Sequence, residues 1–199
     1  MSAGPRGGLD GMGTLRYGLM SCSLDGYVAD ASGDFDWGAP DDAVHTFIND
    51  QVRDVRTFVV GRRMFETMRV WDTWERGQSD ATDEFAEIWT GIDKIVCSDS
   101  LVAGGEPLDA PRTTLEPRLT PERLTEIAAG TDGVVEVSGP TTAGVALLAG
   151  VVDELTIRVV PHVAGGGLRL LPDGLRTDLA RAECVPLGDG SVFLRYTRP

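Results

Sequence analysis

Two segments of this chain share a pattern in which a short run of strand-forming residues ends at a glycine and a helix follows. The first is residues 57–66, TFVVGRRMFE, and the second is residues 134–142, VVEVSGPTT. The start of a helix offers unpaired backbone N–H groups and the positive end of its dipole, so each corner favours a negative charge. Two such corners on one small sheet predict a ligand whose charges are spread along its length, such as a dinucleotide.

The first corner also carries two arginines, Arg62 and Arg63, directly after Gly61. Guanidinium groups are planar donors that suit phosphate, so they strengthen the interpretation of this corner as an anion site. Two simpler explanations stay open at this point. Gly61 and Gly139 are then turn glycines only, and Arg63 merely pairs with a surface carboxylate.

The composition of the chain limits the partners that it can have. Its 199 residues carry a formal net charge of −13, whereas a nucleic-acid surface needs a basic stripe, so no nucleic-acid partner is expected. Salt screens charges beyond about 8 Å, which lets nearby arginines decide a local site whatever the global charge is. Lys94 is the single lysine, so a Schiff-base mechanism has one candidate.

Three widely spaced cysteines, Cys22, Cys97 and Cys184, are typical of a reduced, cytoplasmic protein with small buried thiols. No apolar run reaches the roughly 18 residues that span a membrane, so no membrane partner is expected. The sequence has only two histidines, His45 and His162, and no C-x-x-C motif, so no metal site is predicted. It also lacks the simple Rossmann, P-loop and serine-hydrolase motifs.

The order of the elements predicts an α/β fold. We interpret residues 1–13 as a flexible tail and residues 14–199 as one domain. Strands alternate with helices for three quarters of the chain, which predicts a mostly parallel sheet covered on both faces, with antiparallel strands added at the end. The predicted strands are 15–21, 57–60, 92–97, 112–115, 134–138, 154–161, 180–185 and 192–196. One predicted helix starts at Pro40, and the others cover 62–68, 82–89, 120–130 and 141–149.

Four motifs occur in an order that points to a known family. They are Ser23-Leu24-Asp25-Gly26-Tyr27-Val28-Ala29, Gly61-Arg62-Arg63-Met64-Phe65-Glu66, Val137-Ser138-Gly139-Pro140-Thr141-Thr142, and residues 152–162 with the glycines at 165–167. In this order they resemble the dihydrofolate-reductase-like superfamily, and within it the branch of the reductase domain of riboflavin-biosynthesis enzymes and bacterial dihydrofolate reductase family proteins. The resemblance covers roughly Leu15 to Tyr196. It implies a three-layer fold around a central, mostly parallel eight-stranded sheet with antiparallel C-terminal strands.

The resemblance also implies that NADPH lies across the carboxyl ends of the strands. Its phosphates would then be held at Gly61, Arg62 and Arg63, and one of the two arginines would read the 2′-phosphate that distinguishes NADPH from NADH. Ser98 would lie near the adenosine, unless it is a simple turn former, and Gly26 belongs to the loop over the nicotinamide. The remaining cofactor residues, which together present donors to the pyrophosphate, are Gly139, Pro140, Thr141 and Thr142.

Residues 24–39 resemble the mobile lid of that family, which would keep water away from hydride transfer. Trp37 in this lid and Asp42 on the following helix are the candidate catalytic residues. In true dihydrofolate reductases a carboxylate near the position of Asp42 assists protonation of the pterin, and desolvation would raise its pKa. Two alternatives stay open: Asp41 and Asp42 serve the helix dipole alone, and the lid is an ordinary loop.

These features together predict an NADPH-dependent reductase of a small heteroaromatic, carbonyl or imine substrate that is pterin-like or ribosylamino-pyrimidine-like. A nucleotide-binding regulatory or scaffold protein without turnover is the alternative. A flavin- or deazaflavin-linked oxidoreductase is a further one. The helix at 141–149 is apolar on all sides, which predicts burial or a contact with a second copy, so a homodimer is expected.

Overall fold

The structure, a computed structural model, describes residues 13–105 and 108–199, and the tail predicted for residues 1–13 lies almost entirely outside them. The strands of the described residues are β1 (Thr14–Cys22), β2 (Tyr27–Ala29), β3 (Val55–Gly61), β4 (Asp93–Cys97), β5 (Thr113–Glu116), β6 (Val134–Ser138), β7 (Glu154–Val159), β8 (Leu168–Arg169), β9 (Ala180–Pro186) and β10 (Val192–Thr197). The α-helices are α1 (Asp42–Val52), α2 (Arg62–Met68), α3 (Asp80–Gly91), α4 (Asp99–Gly104), α5 (Pro121–Ala129) and α6 (Pro140–Leu148). Two short 3₁₀ helices cover Asp36–Gly38 and Arg69–Thr73.

Eight of these strands form one sheet in the order β5-β4-β3-β6-β1-β7-β10-β9, and β2 pairs separately with β8. The six strands from β5 to β7 are parallel, whereas β10 is antiparallel to both β7 and β9. This confirms the predicted mostly parallel sheet with antiparallel C-terminal strands. All parallel strands point their carboxyl ends at one edge of the sheet, which is where open α/β sheets bind ligands.

The sheet is buried on both faces because its central strands are apolar at successive positions rather than at alternate ones. Val59 and Val60 of β3 are both fully buried, but they contribute to two different apolar clusters. Val60 packs in the cluster that contains Phe85 and Trp89 of α3. Val59 packs in the cluster that contains Leu124 of α5. Burial of this kind contributes about 1.5–3 kcal/mol for each large apolar side chain.

A buried ion pair crosses the middle of the sheet. The Nε of Arg16 donates to Oε2 of Glu136 at 2.7 Å, and both side chains are 1% exposed. Burial raises the pKa of Glu136 while the guanidinium of Arg16 opposes that shift. Gly18 makes room for this carboxylate, because a Cβ at position 18 would lie 2.2 Å from it. Arg16 also reaches Asp54 beyond the end of α1, so the pair ties the sheet to that helix.

Several local expectations are wrong in detail. The helix predicted from Thr82 begins at Asp80, because the hydroxyl of Ser79, rather than Thr82, caps it. Helix α4 was not predicted, because its six residues are too few to show a helical period. Cys184 lies exposed on the edge strand β9, so the expectation of buried thiols fails for that cysteine.

Helix α6 is only partly buried, contrary to one of its two predicted surroundings. Ala143, Ala146 and Leu147 face the core, whereas Val145 and Leu148 are exposed. The predicted homodimer stays a prediction. No helix formed by the described residues has both the length and the apolar character needed to cross a membrane.

Candidate cofactor cleft and its lid

The two glycine corners predicted from the sequence lie side by side. β3 pairs with β6 in parallel, with Val60 opposite Ser138, so both strands end at the same level. On the other side of β3, Gly61 lies opposite Cys97 of β4. The carboxyl ends of β4, β3 and β6 therefore present three consecutive turns along one edge of the sheet.

The two corners are in direct contact. A Cβ placed on Gly61 would lie 2.8 Å from Oγ1 of Thr142, so a side chain at position 61 would displace the first turn of α6 or its threonine. Gly139 is buried and has φ +94°, a conformation that favours glycine. Its missing side chain would face Met64 of α2 at 3.7 Å. The two glycines thus allow the starts of α2 and α6 to share one cleft.

The starts of these two helices differ from the other four in the described residues. Helices α1, α3, α4 and α5 each have a side-chain oxygen that accepts a hydrogen bond from their first turn, supplied by Asp41, Ser79, Ser98 and Thr120. Helices α2 and α6 follow Gly61 and Gly139 and have no side-chain cap. Their first-turn N–H groups are therefore left for a ligand or for water.

The two arginines of the first corner differ in their partners. The Nε of Arg62 lies 3.6 Å from Oε1 of Glu66, one turn later, and both side chains are about half exposed. Such a surface pair contributes at most about 1 kcal/mol. Arg63 is exposed, and within the described residues its guanidinium forms neither an ion pair nor a hydrogen bond. The simpler explanation that Arg63 pairs with a surface carboxylate is therefore not the arrangement found.

Ser98 lies at the carboxyl end of β4, next to the first corner, as the sequence analysis required. It is buried, however, and its hydroxyl accepts from the backbone N–H of Leu101 at 3.3 Å as the cap of α4. Gly26 has φ +85° in a tight turn closed by its N–H on the carbonyl of Ser23. The cofactor roles of Ser98 and Gly26 stay predictions.

The lid segment, residues 24–39, is anchored to the rest of the protein at its beginning. The carboxylate of Asp25 accepts from the backbone N–H groups of Ala164 and Gly165 at 3.0 and 2.8 Å, and from the hydroxyl of Ser23 at 2.6 Å. These hydrogen bonds, led by that of Ser23, lower the pKa of Asp25 to about 2. Two N–H groups of this glycine-rich loop are thus occupied by the chain's own carboxylate.

The same loop brings β8 close to β2, which lies inside the lid. Gly167 has φ +126°, and a Cβ there would lie 2.1 Å from the carbonyl oxygen of Ala29. The next residue, Leu168, pairs with Ala29 in the two-stranded sheet. The lid is therefore partly ordered by strand pairing, whereas the sequence analysis treated this segment as a loop.

Trp37 lies against the end of β7. Its ring stacks on the ring of His162 with the centroids 4.8 Å apart and the planes inclined by 16°. Its Nε1 donates to the carbonyl of Asp34 at 3.2 Å. The contact of His162 with Trp37 was not predicted, because nothing local in the sequence brings residues 37 and 162 together.

The lid is anchored at its end by Arg158 of β7. This side chain is buried, and its Nη1 donates to the carbonyl of Gly38 at 2.7 Å and to the hydroxyl of Ser21 at 3.1 Å. Its Nε donates to the hydroxyl of Ser191 at 2.9 Å, and its Nη2 pairs with Asp189. Sequence reasoning missed Arg158, although a charged residue near the carboxyl end of a buried strand is a usable signal.

Asp42 is placed differently from the proton donor that was expected. It lies in the first turn of α1 and is exposed, while the neighbouring Asp41 caps the helix by accepting from the N–H of Val44 at 2.8 Å. The burial that would tune a catalytic carboxyl is not found at Asp42. One turn later His45 is buried, and burial lowers its pKa while Asp42 opposes that shift.

The single lysine has a structural position. Lys94 is 1% exposed, and its Nζ donates to the carbonyls of Trp89 and Ile92 at 2.8 and 3.0 Å, at the end of α3. Burial lowers its pKa. A Schiff base at Lys94 would require this helix end to open, so the structure disfavours that chemistry.

A concavity of about 570 Å³ lies at the opposite edge of the sheet, near the amino ends of β3 and β4. Its charged lining is largely paired within the protein, as in the ion pair of Arg112 with Asp93 at 2.8 Å. It is separate from the two corners. Among the described residues, no group of three or more His, Cys, Asp or Glu side chains is arranged to hold a metal ion.

A mostly parallel eight-stranded sheet with antiparallel strands at its C-terminal edge is the dihydrofolate-reductase-like fold. Within that class the particular family follows from the sequence. The model of the family "RibD C-terminal domain" matches residues 19–193, and this chain belongs to that family.

Solved structures with this fold have low sequence identity to the chain. RibD of Acinetobacter baumannii is 16% identical with a TM-score of 0.68, over 96% of this chain and 59% of that chain. A pyrimidine reductase-like protein of Corynebacterium diphtheriae is 16% identical with a TM-score of 0.63, over 93% and 91% of the two chains. Dihydrofolate reductase of Enterococcus faecalis, in a complex with NADP(H), is 15% identical with a TM-score of 0.56, over 94% and 96%. No curated protein matches the chain.

Proposed function

We propose that this protein is an NADPH-dependent reductase that transfers a hydride to a small heteroaromatic, carbonyl or imine substrate. One observation carries the proposal: two helix starts without side-chain caps meet through Gly61 and Thr142, next to Arg63, whose guanidinium has no partner among the described residues. Membership of the RibD C-terminal domain family supports it. The dihydrofolate reductase with this fold that was solved with NADP(H) supports the choice of cofactor.

The residues of the cleft fit a dinucleotide phosphate. The N–H groups at the starts of α2 and α6 would face the pyrophosphate, and Gly61 lets Thr142 approach so that the two helix starts lie close enough to share it. Arg63 would bind the 2′-phosphate because no carboxylate of the described residues competes for it. When bound, the cofactor supplies the hydride. The chain's own part is to hold the cofactor, to orient the substrate and to exclude water under the lid that carries Trp37.

The substrate is proposed to be pterin-like or ribosylamino-pyrimidine-like. The family name and the pyrimidine reductase-like protein of Corynebacterium diphtheriae favour the pyrimidine class. A cytoplasmic location and a homodimer remain part of this proposal. The exposed Val145 and Leu148 of α6 offer an apolar surface to a second copy.

The test is a fluorescence titration of NADPH and NADH against the double variant Arg62→Ala/Arg63→Ala. Hydrogen bonds to a charged group contribute about 1.5–3 kcal/mol, so NADPH affinity should fall by about tenfold or more while NADH affinity falls less. Arg76→Ala is the matched control, because Arg76 is an exposed arginine paired with Glu87 on another part of the surface. Unchanged NADPH affinity in the double variant would refute the phosphate assignment.

A second candidate is a nucleotide-binding protein without turnover, and the exposed Asp42 favours it because the expected buried acid is not there. The discriminating measurement is NADPH consumption across pterins, pyrimidines and quinones, compared with binding. Tight binding without any turnover would select this candidate. A yellow colour in the purified protein would instead select a flavin or deazaflavin as the cofactor.

A further inference from the structure

The lid is held to the rest of the protein at both of its ends. Asp25 fixes its beginning to the loop after β7, and Gly38 fixes its end through Arg158. Between these two anchors, residues 31–36 are all exposed. The pairing of β2 with β8 also holds the first half of the lid. The exposed segment can therefore open only if the contacts at its end, those of Gly38 and Trp37, are broken.

Arg158 connects three separate parts of the chain. Its guanidinium reaches Ser21 at the end of β1, the carbonyl of Gly38 at the end of the lid, and Asp189 in the turn between β9 and β10. A buried charge is costly unless it is paired and hydrogen-bonded, so these contacts maintain one another. The planar, forked guanidinium suits this task, whereas an ammonium could satisfy fewer of the partners.

Asp189 fixes the direction in which Arg158 points. One carboxylate oxygen accepts from the N–H and the hydroxyl of Ser191 at 3.0 and 2.6 Å, and the other pairs with Nη2 of Arg158. The opposite terminal nitrogen, Nη1, is the one that donates to Gly38. The small cavity beside the guanidinium is otherwise lined by one polar side chain and by apolar ones: Ser21, Phe47, Ile48, Leu187 and Phe193. Without Asp189 the guanidinium would thus face a largely apolar wall.

We propose that Arg158 and Asp189 form a latch. Through it the C-terminal hairpin β9–β10 holds the end of the lid at Gly38 and sets how often the lid opens. Arg158 is a positioning residue in this arrangement, since it acts on the cleft through the carbonyl of Gly38. The latch itself is independent of the activity. Its effect on the cofactor rests on the proposed function.

Hydrogen exchange on the full chain tests the latch. Asp189→Asn removes the charge of the counter-ion while keeping its shape, and we expect residues 30–40 to exchange about tenfold faster. The turn of Ser23 to Gly26 should not change, because Asp25 holds it separately. Glu183→Gln is the matched control: Glu183 is a carboxylate of the same hairpin that pairs with Arg195 at 3.2 Å rather than with the lid anchor.

Two results would overturn the latch. One is unchanged exchange of residues 30–40 in Asp189→Asn, and the other is faster exchange spread evenly over the sheet or equally present in Glu183→Gln. Asp189→Glu, which retains the charge, should restore at least part of the protection. If Asp189→Asn does not fold, Ser191→Ala replaces it, because it removes a partner of both Asp189 and Arg158 with little loss of volume.

The cofactor arm uses NADPH as the probe in stopped-flow fluorescence. In Asp189→Asn the dissociation rate should rise by a factor similar to that of the exchange, while the preference for NADPH over NADH, which depends on Arg63, should not change. Failure of the wild-type protein to bind NADPH would refute the proposed function, and the exchange experiment would still decide the latch. Normal binding with an unchanged dissociation rate in the variant would refute control of the cleft by the lid.

Discussion

The contact between the two corners can be measured by a double-mutant cycle of Gly61→Ala and Thr142→Ala. The backbone of Gly61, with φ −76° and ψ 164°, is one that any residue adopts, so an alanine there is not strained by its conformation. The steric contact decides the outcome instead. The new Cβ would lie 2.8 Å from Oγ1 of Thr142, closer than carbon and oxygen approach in ordinary packing.

The expected magnitude follows from that distance. Overpacking of this kind costs about 1–3 kcal/mol, so Gly61→Ala should lower the free energy of unfolding by about 1–2 kcal/mol. Removal of the threonine hydroxyl takes away the atom that the Cβ meets. The change from glycine to alanine at a helix cap contributes similarly in both backgrounds and cancels in the cycle. We therefore expect a coupling energy of about 1 kcal/mol, with Gly61→Ala nearly neutral in the Thr142→Ala background.

Urea denaturation of the four proteins gives the coupling, and NADPH titration of the same four shows whether the shared cleft also governs binding. Gly188→Ala combined with Thr142→Ala is the control pair, because a Cβ at Gly188 has no atom within 4 Å. That control pair should be additive within about 0.5 kcal/mol. Equal additivity for Gly61 and Thr142 would mean that the corners are not in contact, and the candidate cleft would lose its structural basis.

Two further predictions concern the lid. Gly167→Ala should cost at least about 2 kcal/mol more in urea unfolding than Gly165→Ala, since both glycines have positive φ but only Gly167 would place its Cβ against the backbone of β2; similar costs would contradict the close approach. Acid should release the anchors at both ends of the lid. Hydrogen bonding holds the pKa of Asp25 at about 2, and the pKa of Asp189 is lowered to about 2 because its hydrogen bonds and Arg158 outweigh its burial. A lowered folded-state pKa means that the stabilisation is complete above the ordinary value near 3.8 and is lost as the pH falls towards 2. Pepsin cleavage within residues 24–39 should accordingly be slow at pH 4 and fast at pH 2, and a constant rate over this range would contradict the assignment.

The sequence predicts the sheet and its two corners well for a physical reason. Parallel strands that are buried on both faces appear as short continuous apolar runs. The turns at their ends carry glycine, Gly139 because of its positive φ and Gly61 because of the approach of Thr142. Gly61 and Gly139 combine both signals, since each follows such a run and precedes a helix. The number of strands in the predicted sheet comes from the family resemblance, whereas their order in the sheet was not predicted.

The lid could not be derived in the same way, because its contacts join residues that are far apart in the sequence. Arg158 meets Gly38 across 120 residues, and Trp37 meets His162 across a similar separation. Hydrophobic periodicity reports only the face of a strand or helix, so it could place Arg158 on the polar face of its strand but not identify its partners. Asp41 and Asp42 show the same limit, since both suit a helix start and only the backbone geometry makes Asp41 the cap.

The first corner carries two arginines although the protein as a whole has a net negative charge. The chain has 31 acidic and 18 basic residues, so an exposed arginine is surrounded by more carboxylates than it needs. Among the described residues Arg63 nevertheless has no ion pair. Glu66, three residues after Arg63 and four after Arg62, lies with Arg62, and the residue four after Arg63 is Thr67, whose hydroxyl bonds to the backbone carbonyl of Arg63. Salt screens charges beyond about 8 Å, so the proposed phosphate site depends on the groups close to it, which are Arg63 and the uncapped starts of α2 and α6. A protein with a net negative charge can therefore attract a phosphate at this edge, provided that Glu66 stays with Arg62 and leaves the guanidinium of Arg63 unpaired.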